Sequence, residues 1–170
     1  MYENENWLPR AFLVHEAQQL PDQAAVLHAI SENTDLGQTA YIGASDDDLF
    51  HGLNRNARTY SKATVEIVHR SANRTEVKVE TENPGLLILS KTWMPGWRAE
   101  VDGSSASVHR IDYALLGVEV PAGEHEVRFR YSPIEWQVGW RVTVGSLLAA
   151  ALALIVDLAW RKSTTRSPRG

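Results

Sequence analysis

The feature that most constrains the fold is a sustained apolar segment near the C-terminus, Val142 to Trp160. It contains 19 residues, nine of them leucine, isoleucine or valine. As a helix it would be roughly 28 Å long, close to the hydrocarbon thickness of a bilayer. Its aliphatic side chains favour insertion by about 3 to 5 kcal/mol, and Asp157, which opposes insertion, lies one turn from the end, within reach of the headgroups. We therefore predict one transmembrane helix rather than a buried core helix.

Residues that flank this segment also suit a membrane. Trp136 and Trp140 lie near its start and Trp160 ends it, as amphipathic rings do at membrane interfaces. The tail carries four cations and no carboxylate, so the positive-inside rule predicts a cytoplasmic C-terminus and an N-terminal domain outside. We expect a single-pass chain with three regions: an extracytoplasmic β domain, 1–135, a transmembrane helix with its interfacial flank, 136–160, and a basic cytoplasmic tail, 161–170.

Four positions spaced four residues apart share one face of the predicted transmembrane helix: Gly145, Ala149, Ala153 and Asp157. Small residues on such a face let transmembrane helices approach closely, so we expect further helices as neighbours. Residues 1–20 contain charges and a proline and lack the apolar stretch of an export signal. Both observations predict that the chain is the C-terminal piece of a larger polytopic protein, whose upstream helices handle export.

The region before this helix alternates between apolar and polar residues with a period of two. From Thr75 to Glu82, threonine and valine alternate with glutamate and lysine, which predicts a strand with one buried and one solvated face. Residues 125–131 alternate in the same way, and Val65 with Ile67 marks another strand. The run from Leu86 to Leu89 is continuously apolar, which is typical of a central strand covered on both sides.

Turn-forming residues separate these strands, and Asp102-Gly103 predicts a tight hairpin. Leu20-Pro21 begins a short amphipathic helix, with Pro21 in the first turn and an apolar stripe of Val26, Leu27 and Ile30. About eight or nine short strands are expected. The predicted fold class is mainly β: an antiparallel β-sandwich of jelly-roll or immunoglobulin-like type, with one short amphipathic helix and the C-terminal transmembrane helix.

Composition and residue spacing exclude several classes of function. The formal net charge is -4, which provides no broad basic face for a nucleic acid. Because the chain has no cysteine, thiolate metal sites and thiol catalysis are excluded. Asp46-Asp47-Asp48 lacks the spaced acids of a calcium loop, and no serine lies in the Gly-x-Ser-x-Gly turn of a hydrolase. We predict no catalytic residue, metal site or cofactor in this chain.

A ligand site is predicted around two tryptophans, Trp93 and Trp97, together with Arg98 and Asp102. Flat aromatic faces beside a cation and a carboxylate suit a sugar ring and its hydroxyl or phosphate groups. The alternative interpretation is core packing, in which both tryptophans brace the hairpin against the sandwich. The two interpretations differ in exposure, because a binding site leaves Trp93 or Trp97 exposed on a concave face, whereas packing buries both.

Several sequence phrases occur here in the order found in one bacterial family. They are Leu8 to Phe12, Leu86 to Trp97 with its Met94-Pro95-Gly96-Trp97 ending, Val101-Asp102-Gly103, Val120 to Gly123, and Tyr131-Ser132-Pro133. The ordered set covers nearly the whole chain and resembles the C-terminal region of the YfhO family of polytopic membrane proteins. The resemblance implies a location in the bacterial cytoplasmic membrane.

Members of that family look like C-type glycosyltransferases, which transfer sugar from a polyprenyl-phosphate donor to envelope polymers outside the membrane. The acidic catalytic residues of such enzymes lie in an early extracytoplasmic loop, whereas this chain resembles a later region. The resemblance implies a non-catalytic, membrane-anchored accessory domain that holds or orients a cell-envelope glycan or lipid-linked sugar. The alternative is a structural or protein-interaction module that caps a transmembrane bundle without a ligand. The expected partners are the lipid bilayer, upstream helices and that glycan, with no nucleic acid.

Overall fold

The computed structural model describes residues 8–32, 36–43 and 63–164, with backbone alone at 134–137, 158–159 and 161–164. The chain divides into two compact units, Met1–Tyr131 and Ser132–Gly170. Among the described residues the first unit contains one helix, α1 (Gln23–Glu32), and the second contains α2 (Ile134–Thr164). The strands are β1 (Ala11–Val14), β2 (Glu16–Leu20), β3 (Thr39–Gly43), β4 (Ala63–Arg70), β5 (Arg74–Thr81), β6 (Gly85–Thr92), β7 (Trp97–Val101), β8 (Ser104–Ala106), β9 (His109–Ile111), β10 (Leu115–Val120) and β11 (Gly123–Tyr131).

Two antiparallel sheets pack face to face in the first unit. One has five strands in the order β4-β5-β11-β7-β8, and the other has four in the order β1-β6-β10-β9. Their facing side chains form one buried cluster that includes Val77 and Phe129 from the first sheet and Leu87 and Leu116 from the second. The mainly β, antiparallel fold class predicted from the sequence is confirmed. The described strands number more than the eight or nine expected, because several have only three to five residues.

The period-two pattern predicted the buried faces correctly. Along β5, the alternate residues Thr75, Val77, Val79 and Thr81 are buried. Along β11, Val127 and Phe129 are buried, whereas Arg128 and Arg130 are exposed. Because a side chain changes face with each residue of a strand, one alternation in sequence produces one apolar and one charged sheet surface.

The apolar run of β6 is buried on both sides, as its composition predicted. Leu87 and Leu89 point into the cluster between the two sheets. Leu86 and Ile88 point the other way, into a second cluster that contains Ala40 and other residues from outside the sheet pair. The outer face of the four-stranded sheet is therefore covered as well.

The cover is formed by β2 and β3, which pair in parallel and are connected by α1. The sequence did not reveal this parallel pair.

The start of α1 also differs from the prediction. Asp22 caps the helix, since its Oδ1 accepts a hydrogen bond from the Ala25 N–H at 2.8 Å, so Pro21 precedes the cap. The apolar stripe is narrower than expected, because Val26 is fully buried whereas Leu27 is 52% exposed.

The Asp102-Gly103 hairpin has the predicted geometry. Val101 pairs with Ser104 across the turn, and the two turn residues have φ angles of 52° and 81°. Two consecutive positive φ angles are the signature of the tight hairpin turn that asparagine or aspartate followed by glycine prefers. This turn ends β7 and positions the side chain of Asp102 directly after that strand.

Helix α2, in the second unit, contains the apolar span. The helix has 31 residues, which corresponds to roughly 46 Å. Its apolar part, Val138–Asp157, has 20 residues and a mean hydropathy of 1.8, and none of it is buried within the protein. It begins four residues before the predicted segment and is long enough to span a membrane. The hydroxyls of Thr143 and Ser146 donate to carbonyls within the helix, at 2.9 Å each, which satisfies them without water.

Candidate functional site

The two candidate tryptophans lie where the chain passes from one sheet to the other. Trp93 follows the last residue of β6 and Trp97 is the first residue of β7. The segment between them turns at Gly96, whose φ is 105°, a value that L-residues rarely adopt. Both side chains are half-buried and pack against the cluster between the sheets. Their exposure is therefore intermediate between the two extremes that separate a binding site from core packing.

Trp97 belongs to a small aromatic and cationic group at this end of the sandwich. Its ring centroid is 5.3 Å from that of Tyr131, with the planes tilted by 47°, and the two residues are cross-strand partners. Lys91 Nζ lies 5.1 Å from the Trp97 ring centroid, a cation–π distance. We call Lys91, Trp97 and Tyr131 the aromatic corner. Trp97 Nε1 is buried and has no hydrogen-bond partner among the described residues.

Trp93 is held separately. The backbone N–H of Trp93 donates to the Ala114 carbonyl at 2.6 Å. Arg110 Cζ lies 5.4 Å from the centroid of the Trp93 ring. Ala114 and Arg110 belong to the β9–β10 region of the four-stranded sheet. Trp93 is thus attached to one sheet and Trp97 to the other, although only three residues separate them in the chain.

The remaining two predicted ligand residues lie elsewhere. Arg98 is exposed and pairs with Arg130 across the five-stranded sheet. Asp102 follows the far end of β7, so five residues of extended chain place it roughly 16 Å from Trp97. Its carboxylate pairs with His125, with Asp102 Oδ2 2.6 Å from His125 Nδ1, and its Oδ1 accepts the Glu126 N–H at 2.9 Å. The structure brings Trp97 together with Lys91 and Tyr131 rather than with Asp102.

The pair formed by Asp102 and His125 joins two turns at one end of the five-stranded sheet. Hydrogen bonding to Asp102 raises the pKa of His125, and hydrogen bonds from His125 and the Glu126 N–H lower the pKa of Asp102. His125 Nε2 lies 3.2 Å from the Ala122 carbonyl oxygen. A doubly protonated imidazole donates to both oxygens. With both nitrogens engaged, the ring has no free atom to abstract a proton from a substrate.

Beside the aromatic corner is a cleft that sequence reasoning missed. Its volume is about 370 Å³, and it is lined by three cations, Arg10, Arg70 and Lys91, together with apolar atoms of Ile67 and Leu89. We call it the basic cleft. The cations come from residues before β1, at the end of β4 and near the end of β6. No local sequence signal could have identified this cleft, because only the pairing of distant strands brings the three together.

Asp112, in the turn after β9, is a second titratable group with a shifted pKa. Its Oδ1 accepts the Tyr41 N–H at 2.8 Å and its own N–H donates to the Tyr41 carbonyl at 2.9 Å. Burial raises the pKa of this carboxyl to about 6. The other oxygen, Oδ2, is buried without a hydrogen-bond partner among the described residues. Asp112 ties β3 to the turn after β9, which is a structural role.

Within the described ranges, no cluster of three or more histidine, aspartate or glutamate side chains is placed to hold a metal ion. The Asp46-Asp47-Asp48 sequence, which was interpreted above as unsuited to calcium, lies outside those ranges. The aromatic corner and the basic cleft together place aromatic surface beside positive charge.

Comparison with known protein families identifies a match. The family model described as "Bacterial membrane protein YfhO" matches residues 48–143. No curated protein and no solved structure matches the chain. The description of the family as membrane proteins agrees with the apolar span of α2, and the two findings together support a location in a membrane. Because the match covers more than half of the 170 residues, the chain belongs to the YfhO family of bacterial membrane proteins.

Proposed function

We propose that the first unit, which contains the two sheets and is called the β unit below, is a non-catalytic accessory domain. It is anchored by α2 outside the bacterial cytoplasmic membrane, and it holds or orients a cell-envelope glycan or lipid-linked sugar. The observation that supports it best is the aromatic corner, where the half-buried rings of Trp97 and Tyr131 lie next to the ammonium group of Lys91. The exposed parts of such rings offer apolar surface to the C–H groups of a sugar, and the cation offers a donor to an oxygen atom of the same ligand.

The extracytoplasmic orientation is supported by charge. The ten residues of the tail, 161–170, carry four cations and no carboxylate, and cytoplasmic flanks of membrane helices are enriched in lysine and arginine. The non-catalytic role is consistent with the contacts of His125, since both of its ring nitrogens are already engaged. We also propose that Arg98 and Asp102 bind no sugar at the aromatic corner, since their side chains lie elsewhere.

A structural module without a ligand is the second candidate function, and one observation favours it. Trp93 and Trp97 both pack against the core cluster, as braces would. In this role α2 would contact neighbouring transmembrane helices through Gly145, Ala149, Ala153 and Asp157. A methyl group added at Gly145 meets no atom within 4 Å, so the helix backbone is accessible at that position for close approach.

The orientation can be tested with single cysteines, because the chain has none of its own. Ser105→Cys places a thiol in the exposed β8 strand, and Ser167→Cys places one in the basic tail. In intact bacteria that express the protein from its native gene, a membrane-impermeant maleimide should label the Ser105→Cys protein, and the Ser167→Cys protein should react only after lysis. Labelling of the tail cysteine alone in intact cells would place the β unit in the cytoplasm and exclude the proposed function.

Sugar binding can be tested on the full chain in polyoxyethylene detergent micelles, which contain neither sugar nor phosphate. The probes are undecaprenyl-phosphate glucose and, as the sugarless control, undecaprenyl phosphate. Stacking on an aromatic ring should make the first bind roughly two- to tenfold more tightly, as measured by tryptophan fluorescence. Trp97→Leu should abolish the difference, and Trp140→Leu, in α2, should preserve it. Equal affinities for the two lipids in the unmodified protein would favour the structural module.

A further inference from the structure

The basic cleft has a charge arrangement that the aromatic corner alone does not explain. Three cations line it and no carboxylate does so within the described residues. Among the residues that the structure describes, neither Arg10 nor Arg70 makes an ion pair. Two other arginines of this domain do have carboxylate partners, since Arg74 pairs with Glu76 and Arg128 with Glu126. A concave site with walls of one charge sign concentrates ions of the opposite sign.

Lys91 is held in the cleft by the turn between β4 and β5. Its ammonium group donates to the carbonyl oxygens of Ser71 at 2.9 Å and Ala72 at 3.2 Å. An ammonium group has three donors, so one N–H is left for a ligand. The turn is itself fixed, because the Ser71 Oγ accepts the Arg74 N–H at 3.1 Å. The lysine is thus positioned before any ligand arrives, which reduces the entropy lost on binding.

The surroundings of Lys91, including the nearby positive charge, change the pKa of its ammonium group. Burial, followed by the repulsion of the nearby Arg70 guanidinium, lowers the pKa of its ammonium group. An anion in the cleft would reverse the second effect, because it would lie between the like charges. A negatively charged group bound there would therefore offset the repulsion between Lys91 and Arg70.

Size and chemistry narrow the class of anion. The volume of about 370 Å³ lies in the lower part of the range for small-molecule sites, roughly 300 to 1,000 Å³. Two guanidinium groups and an ammonium group are the side chains that most often bind phosphate oxygens, the guanidinium groups through paired N–H donors. Apolar atoms of Ile67 and Leu89 in the lining suit a carbon skeleton attached to the phosphate.

We infer that the basic cleft binds the phosphate group of a phosphorylated ligand, through Arg10, Arg70 and Lys91. Lys91 is shared with the aromatic corner, where its Nζ lies 5.1 Å from the Trp97 ring centroid, so a sugar on Trp97 and a phosphate in the cleft would be neighbours. This inference deepens the proposed function, on which it rests for the identity of the sugar, and it names the charged part of the ligand. The phosphate belongs either to a lipid headgroup or to a soluble phosphate ester.

The test follows the reactivity of individual lysines in the full chain, again in polyoxyethylene micelles. An uncharged acetylating reagent modifies deprotonated amines, and peptide mass spectrometry measures the acetylation rate at Lys91 and, as the internal reference, at Lys78 on the outer face of β5. Bound phosphate should slow acetylation of Lys91 and leave that of Lys78 unchanged. The two probes are inorganic pyrophosphate and micellar undecaprenyl phosphate.

Two variants make the result specific. The double variant Arg10→Gln/Arg70→Gln should raise the half-protecting probe concentration by about tenfold or more, since each charge-assisted hydrogen bond contributes at least that factor. Arg128→Gln removes an exposed arginine on the outer face of β11 and should leave the protection unchanged. Both changes are at exposed side chains, so the fold should survive them, which a thermal unfolding curve verifies.

Each outcome decides the inference. Protection by both probes identifies the phosphate group itself as the ligand, and protection by the micellar probe alone identifies a lipid headgroup. Equal effects on Lys91 and Lys78, or protection that persists in the double variant, would overturn the inference. Failure of the proposed function looks different, because then undecaprenyl phosphate with and without glucose protects Lys91 equally.

Discussion

The imidazole Nδ1 of His125 lies 2.6 Å from Asp102 Oδ2, and this pair ties the turn after β7 to the strand β11. Asp102 Oδ1 reinforces the contact by accepting the Glu126 N–H, and His125 Nε2 reaches the carbonyl of Ala122 in the turn before β11. One ion pair therefore connects two turns at the end of the sandwich opposite the aromatic corner. Its contribution to stability depends on the protonation of both partners.

We expect Asp102→Asn to lower the melting temperature most near pH 6. The pKa of His125 is raised, so its contribution is complete below the ordinary histidine pKa of about 6.5 and is lost as pH rises through the raised value. The pKa of Asp102 is lowered, so its contribution is complete above about pH 4 and is lost as pH falls through the lowered value. Asparagine also accepts positive φ, which isolates the effect of the charge.

Melting curves of the full chain, recorded by circular dichroism across this pH range, measure the difference. Glu124→Gln is the control, because it removes a nearby exposed carboxylate outside the pair. A difference between Asp102→Asn and the unmodified protein that stays constant from about pH 5 to pH 9 would contradict the assignment of an ionised pair.

Asp112→Asn should have the opposite sign and stabilise the protein above about pH 7. Burial raises the pKa of Asp112 to about 6, so the folded state binds a proton more tightly than the unfolded state does. Stability then falls as pH rises from about 4 to 6, and an ionised Asp112 costs roughly 3 kcal/mol above that range. Asparagine keeps the acceptor for the Tyr41 N–H and tolerates the φ of 46°.

The measurement is the free energy of unfolding by urea at several pH values. We expect a gain of about 1 to 3 kcal/mol for Asp112→Asn at neutral pH that vanishes below about pH 4. Asp112→Ala loses the acceptor and tolerates the positive φ less well than asparagine does, so it should be less stable than Asp112→Asn at every pH. A gain for Asp112→Asn that is equally large at acid pH would show that the charge is not its cause.

What the sequence predicted depended on local pattern. The alternation in β5 and the continuous run of β6 were interpreted correctly. A strand buried on one face alternates between apolar and polar residues, and a strand buried on both faces is apolar throughout. The Asp102-Gly103 hairpin was predicted for the same reason, from two adjacent residues. The parallel β2–β3 pair was missed, since Glu16–Leu20 has few apolar residues and its partner lies beyond α1.

The site was less predictable because its contacts are not local. Trp97 was identified as a candidate from its aromatic character, yet Lys91 and Tyr131 became its neighbours only through strand pairing. His125, the partner of Asp102, is 23 residues away in sequence. Arg10 and Arg70 gave no signal of a binding site, since a single arginine is ordinary until the fold places it beside others.

The side chain of Phe129 is fully buried between the two sheets, so its removal tests the packing of the hydrophobic core. Phe129→Ala should lower the free energy of unfolding by about 3 to 5 kcal/mol, because the lost apolar contacts leave a cavity that the rigid sandwich fills only in part. Arg130→Ala, the next residue in β11 and exposed, should change it by less than about 0.5 kcal/mol. Urea unfolding monitored by tryptophan fluorescence provides both values, and equal losses would contradict the two-sheet packing.

The last prediction exploits the position of Asp157 at one end of the apolar span of α2. The double change Ala149→Asp/Asp157→Ala preserves composition while moving the carboxylate toward the centre of the bilayer. There it costs about 2.5 to 3.5 kcal/mol, which cancels most of the roughly 3 to 5 kcal/mol that the aliphatic side chains contribute to insertion. We expect the swapped protein to be extracted from membranes by alkaline carbonate, and Asp157→Ala alone to remain in the pellet. Retention of the swapped protein would contradict the placement of residue 149 near the centre of an inserted α2.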